Sequence, residues 1–162
     1  MQIQLKQLKE EIGGVLPFDY ELDLSSLEPS AQVPVRVCGR VINRAGVLLL
    51  SMELTGVLHL ACDRCAKEFE REKRVSYETA LADHIEGEES DEILVCENDV
   101  LELDELAGQV FLLNLDSKNL CREDCAGLCP TCGTDLNVST CSCARDAIDP
   151  RLEKLRALLD EE

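Results

Sequence analysis

Six of the ten cysteines fall between Cys121 and Cys143, in the 23-residue stretch CREDCAGLCPTCGTDLNVSTCSC. Nothing else in the chain restricts its fold as strongly. Within it, Cys129-Pro-Thr-Cys132-Gly is followed by Cys141-Ser-Cys143. Thiolates two or three residues apart close a tight turn around one ion. Zn²⁺ takes four of them at tetrahedral corners, about 2.3 Å from each sulfur. Gly133 stands where such a turn needs a residue tolerant of positive φ. The Gly127-Leu128 step lets the chain bend into Cys129. Buried thiols or disulfides are the plainer alternatives, and the clustered CxxC spacing favours a structural metal site over both. Cys129 and Cys132 are the first ligand pair. Cys141 and Cys143 are the second, closing a short loop on the same ion. Cys121 and Cys125 either substitute into that set or complete another.

A further pair, Cys62-Asp63-Arg64-Cys65, lies between two strand patterns. A CxxC at a hairpin tip is half of a zinc site. With the downstream six it makes eight cysteines, enough for two four-thiolate sites, with Cys38 and Cys96 left over. The alternative places Cys62 and Cys65 in the sheet as small apolar residues.

The 162 residues suit one domain with a small appendage. We expect a β-rich domain with an acidic loop and an amphipathic helix over 1–117, and a cysteine-rich zinc module with a C-terminal helix over 118–162. Trp is absent and only five residues are aromatic, so the core must come from Leu, Val, Ile and Ala. The net charge of −17 opposes binding to bare nucleic acid or an anionic membrane and favours a basic protein partner. No apolar run reaches the ~20 residues of a membrane span. The first 14 residues hold no apolar leader core. Ten cysteines without an export signal point to the cytoplasm, where thiols stay reduced and a cluster reads as metal-binding.

Period-two patterns dominate the first half. Residues 2–8 predict a short strand, ended by Gly13-Gly14, and Tyr20–Leu24 alternates again. From Val33 to Arg44, Val33, Val35, Val37 and Val41 share one parity while Arg36, Arg40 and Arg44 share the other, which predicts a half-buried strand with arginines outward. Asn43-Arg44-Ala45-Gly46 predicts a hairpin turn. The return strand carries Leu48, Leu50, Met52, Leu54, Leu58 and Leu60 inward, with Gly56 as a bulge. A third strand fits Phe69 to Leu81, completing an antiparallel meander. Ile93-Leu94-Val95 suggests a short strand. Leu103 opens an amphipathic helix to about Leu115, with Leu103, Leu106, Val110 and Leu113 as its stripe. Asp149-Pro150 signals another helix, carrying Leu152, Leu155, Leu158 and Leu159. The fold class is therefore α+β: an antiparallel meander or partly closed barrel, one or two helices and a small zinc-binding module.

Charge is segregated. Residues 75–117 hold no Lys or Arg against 13 Asp and Glu, and Glu86–Glu92 reads as an exposed, mobile loop. Residues 36–74 hold eight Lys and Arg against five Asp and Glu. Arg36, Arg40 and Arg44 are either a solvated sheet face or a local phosphate-contacting patch.

Three pieces of the chain carry a resemblance: the strand ending in Cys62-x-Arg64-Cys65, the segment LELDELAGQVFLLNL, and the tail CREDCAGLCPTCGTDLN…CSC…DPRLEKL. Together they make the chain similar to the cysteine-rich branch of the YceD family, the large ribosomal RNA subunit accumulation proteins. Where that branch has Leu-Pro before its first tail cysteine, this chain reads Leu115-Asp116-Ser117. The resemblance implies a cytoplasmic factor needed for accumulation of large-subunit (23S) rRNA, with zinc as a stabiliser rather than the shared activity. It supplies no catalytic residues.

The expected function is thus a non-enzymatic ribosome assembly factor. Its partner is the large-subunit precursor or a basic ribosomal protein, with rRNA contact through Arg36, Arg40 and Arg44. An enzyme fits poorly. A catalytic zinc keeps an open position and usually has His or carboxylate ligands. The only histidines, His59 and His84, are far from the cluster, and no HExxH or phosphate-cradling glycine loop is present. A zinc-thiolate redox-switched chaperone is the alternative, because thiolates oxidise readily once the metal leaves.

Overall fold

The computed structural model describes residues 1–82 and 93–143. The acidic tract Glu86–Glu92, His84 and the helix expected from Pro150 lie outside the described residues. The chain divides into two compact units. One comprises Met1–Ala61 and Glu68–Asn119, the other Cys62–Lys67 and Leu120–Glu162.

The first unit is built on a mixed five-stranded sheet in the order β2-β3-β4-β5-β6. Its strands are β2 (Val15–Leu22), β3 (Val35–Arg44), β4 (Val47–Ala61), β5 (Glu68–Ala82) and β6 (Ile93–Val95). Strands β3 to β5 form the expected antiparallel meander, β2 extends it antiparallel to β3, and β6 adds in parallel to β5. Val35, Val37 and Val41 are fully buried while Arg36, Arg40 and Arg44 are exposed, as the parity dictates. Val33 stays outside β3 and is half exposed, because Pro34 interrupts the ladder before Val35. Strand β2 begins at Val15, earlier than the Tyr20 expected. Pro17 lies within it, which an edge strand tolerates. The β3–β4 turn uses Ala45 and Gly46, both at positive φ (54° and 90°), the pattern of a two-residue hairpin loop. Asn43 beside it is fully buried and satisfied. Its Nδ2 donates to the carbonyls of Leu8 and Lys9, and its Oδ1 accepts from the Gly46 amide.

Two expectations fail at helical spacing. Residues 2–8 are not one strand: β1 covers Gln2–Gln4 and α1 covers Lys6–Glu10. Leu5 and Leu8 are both buried, three residues apart, so the residue that broke the alternation belongs to a helix. Strand β1 pairs with β7 (Val100–Glu102), which leads directly into α2 (Leu103–Leu113). In α2 the buried stripe is Leu103, Leu106, Ala107, Val110 and Phe111, whereas Leu113 is 85 % exposed. Gly56 makes no bulge, since the β4–β5 register runs unbroken through Gly56↔Lys73. A Cβ there would stand 2.9 Å from Val35 Cγ2 and 3.1 Å from Phe111 Cζ. Gly56 is the seat that lets Phe111 lie against the sheet.

Candidate metal centres

The second unit starts from two short loops of the same design. In Cys62-Asp-Arg-Cys65-Ala66-Lys67, the Cys62 amide donates to the Lys67 carbonyl and the Ala66 amide donates to the Cys62 carbonyl. In Cys129-Pro-Thr-Cys132-Gly133-Thr134, the Cys129 amide donates to Thr134 and the Gly133 amide to Cys129. The residue after each second cysteine is left-handed, Ala66 at φ 57° and Gly133 at φ 73°. Each loop therefore curls its amide groups around the first sulfur. Backbone N–H groups, that of Cys121 foremost for Cys62 and that of Cys132 foremost for Cys129, bring both thiols down to about 6.

Each loop meets a second cysteine pair. Cys62 and Cys65 gather with Cys121 and Cys125; Cys129 and Cys132 gather with Cys141 and Cys143. Within each set the four sulfurs lie within 4.8 Å of one another. The Cys62–Cys125 and Cys65–Cys121 sulfurs are 3.8 and 3.7 Å apart. Four sulfurs at ~2.3 Å from a central tetrahedral ion would be separated by about 3.8 Å. A disulfide would hold two of them at about 2.05 Å. Each cluster can therefore hold a metal ion, and its all-thiol donor set fits a soft or borderline cation. Without a cation such sulfurs resist joint ionisation. Desolvation and its thiol neighbours raise Cys121 to about 12, and the neighbouring Cys132 does the same for Cys143.

The clusters differ in exposure. Cys62, Cys65 and Cys125 are buried and Cys121 half-buried. In the second set only Cys129 is buried, Cys141 and Cys143 are half-buried, and Cys132 is exposed. Around the first set, Arg64 Nη1 donates to the Cys125 carbonyl, and the Leu128 amide donates to the Arg64 carbonyl. Gly127, at φ 76°, passes so close that a Cβ would stand 3.0 Å from the Arg64 oxygen.

All six tail cysteines are thus brought together in two sets: Cys141 and Cys143 join Cys129 and Cys132, while Cys121 and Cys125 take the other alternative and complete a second site. The two residues left out of the expected ligand set are Cys62 and Cys65. They point away from a purely structural place in the sheet, since both lie in the loop beyond β4 and face the tail thiols. Their signal was the CxxC itself. Local sequence did not supply the other two ligands, which are Cys121 and Cys125. Cys96 is buried in the core of the first unit, and Cys38 is half-buried on β3.

The arginine stripe is partly neutralised within the first unit. Arg36 makes two hydrogen bonds to Asp19, at 3.0 and 2.7 Å, which holds the Asp19 carboxyl below its usual range. Arg74 stands between Glu72 and Glu53. Arg71 and Lys73 both bond Asp116. Among the described residues Arg40 and Arg44 have no carboxylate partner. His59 pairs with Glu70 across the β4–β5 ladder.

Fold and thiol clusters define an α+β protein in which an antiparallel meander carries a cysteine-rich, metal-competent module. The chain belongs to the family described as large ribosomal RNA subunit accumulation protein YceD, which it matches over residues 50–159. The matched span includes both CxxC loops. The chain is also similar to YlbN, an uncharacterized protein of Bacillus subtilis, with 25% identity over 131 residues that cover 80% of this chain and 76% of the relative. No solved structure matches the chain.

Proposed function

We propose that this protein is a non-enzymatic, cytoplasmic assembly factor that supports accumulation of the large-subunit rRNA by binding the large-subunit precursor. Membership of a family named for that accumulation carries the reading. The chemistry of the clusters agrees with it. Both are all-thiol sets of four, so a tetrahedral ion would have no open position for substrate. We assign Zn²⁺ to both, held by Cys62, Cys65, Cys121 and Cys125 in one and by Cys129, Cys132, Cys141 and Cys143 in the other. Bound there, zinc contributes folding free energy by tying the loops together. No helix among the described residues is long and apolar enough to cross a membrane.

The precursor is read as a mixed target. The acidic excess suits a basic ribosomal protein, and Arg40 and Arg44, which have no carboxylate partner among the described residues, suit phosphate. Depletion of the protein should lower the ratio of large- to small-subunit rRNA, with the protein migrating alongside precursor particles in a gradient. Arg40→Glu with Arg44→Glu should weaken that co-migration several-fold, and Arg36→Glu much less, because Asp19 already occupies Arg36. An unchanged rRNA ratio, with the protein confined to the top of the gradient, would reject the assembly reading.

The exposure of Cys132 favours one second reading, a redox-switched chaperone. Mild peroxide would then release zinc and unfold the second unit. Retention of the metal under peroxide would remove it.

A further inference from the structure

We propose that the two cysteine clusters bind their metals with positive coupling, and that Asn137 is the positioning residue through which the second site strengthens the first. The inference rests on the reading that both clusters hold zinc.

Asn137 sits in the loop between Cys132 and Cys141, the loop that the second cluster closes. Its side chain serves the first cluster instead. Nδ2 stands 3.5 Å from Cys125 Sγ and donates to it. The orientation of the amide is fixed on both sides. Nδ2 also donates to Asp135 Oδ1 at 2.7 Å, while Oδ1 accepts from the Ala126 amide and from Arg122 Nη2, each at 2.8 Å. A flipped amide would set oxygen against carboxylate and nitrogen against two donors. One N–H is thereby aimed at a ligand sulfur of the first site. Donors of this kind stabilise a metal-bound thiolate and orient it, and losing one typically costs 10–100-fold in metal affinity.

The second site closes the loop that carries Asn137. That loop has little apolar anchorage: Val138 is 84 % exposed, and Thr134, Asp135, Leu136 and Asn137 are only half-buried. The backbone bonds that shape it are Cys129 to Thr134, Leu136 to Gly127 and Ser139 to Asp135. Two of these reach the segment from Gly127 to Cys129, which joins one cluster to the other. A metal bridging Cys129 and Cys132 to Cys141 and Cys143 pins both ends of the loop. Release of that metal frees the Cys141 end, and the Asn137 amide leaves Cys125. Coupling is reciprocal, so a filled first site also favours the second. The exposure of Cys132 makes the second site the one that exchanges first.

The full-length chain would be loaded with Zn²⁺ under reducing conditions, its stoichiometry read by native mass spectrometry, and each site's affinity read by competition with a chromophoric chelator. The wild type should hold two equivalents, one tight and one weaker. Cys143→Ser should hold one, and that one should bind roughly 10-fold more weakly than the wild-type tight site. Asn137→Ala should keep two equivalents and weaken the tight one by a similar factor. Asn137→Asp, which keeps the size but cannot donate to sulfur, should do the same. In the double variant Asn137→Ala with Cys143→Ser the two effects should not multiply, because both act through one hydrogen bond. A tight site unchanged in Cys143→Ser overturns the coupling, as do single-variant effects that multiply in the double variant. A wild type that holds fewer than two equivalents overturns the two-metal reading itself, and the coupling with it.

Discussion

Three left-handed residues in the cysteine-rich unit differ in what they tolerate, and they give the sharpest test at the scale of single side chains. Gly127 and Gly133 share nearly the same φ, 76° and 73°. A Cβ at Gly127 meets the Arg64 carbonyl oxygen at 3.0 Å, whereas a Cβ at Gly133 meets nothing within 4 Å. Gly133→Ala should therefore carry only the left-handed penalty of an L-residue, about 1 kcal/mol. Gly127→Ala adds backbone crowding and should cost about 2 kcal/mol or more. Ala66 already bears that penalty, so Ala66→Gly should stabilise the metal-loaded protein by about 1 kcal/mol. Thermal melting of the three zinc-loaded variants checks the order, with Ala66→Gly highest and Gly127→Ala lowest. Equal losses at Gly127 and Gly133 would mean that the approach to Arg64 carries no weight.

Among the elements, the decisive fit is α2 on the sheet, where Gly56 leaves room for the Phe111 ring. Gly56→Ala should overpack this seat and cost about 1–3 kcal/mol. Phe111→Leu shortens the intruding group, so the double variant should lose less than the two single losses added together. Chemical denaturation of the four proteins reads this directly, and strict additivity would place the strain elsewhere. The same elements show what a sequence can reveal. Strands β3, β4 and β5 were legible because valine against arginine, and leucine against Ser and Glu, alternate over long runs with one face buried. The hairpin turn was legible from its glycine. Short elements were not. Helix α1 has one buried leucine, Leu8, and β7 has three residues, too few for either period to declare itself. Gly56 gives the same signal whether it makes a bulge or a seat, and only the partner ring decides. Leu113 fits a helical stripe in sequence, but the helix turns Phe111 inward instead. In the metal centres, local spacing gave the pairs. Which pairs share an ion depends on contacts across more than fifty residues, such as Cys62 with Cys125, and local spacing does not encode these.

At the scale of the whole molecule, the proposed zinc ions would give the two units different sources of stability. The first has an apolar core of its own, including Phe18, Leu50, Leu54, Leu101, Leu103 and Phe111. In the second, the buried apolar residues among those described are cysteines alone: Cys62, Cys65, Cys125 and Cys129. So small a set of sulfurs cannot offset the conformational entropy of ordering these loops, roughly 1–2 kcal/mol per residue of backbone. Metal binding can, since structural zinc contributes on the order of 10–16 kcal/mol per site at neutral pH. Removing zinc with a strong chelator in reducing buffer should therefore unfold the second unit and leave the first folded. In amide-resolved NMR, signals from Leu120 to Cys143 and from the Cys62–Lys67 loop should collapse to unfolded positions. Those of β3 and α2 should keep their dispersion, and heating the stripped protein should still give a cooperative transition. Restoring zinc should recover the lost signals without refolding the rest. If the second unit kept its dispersion after complete metal loss, the cysteines would be packing as ordinary small apolar residues and the metal assignment would fall. If both units collapsed together, the first core would depend on the second, contrary to the burial that each displays.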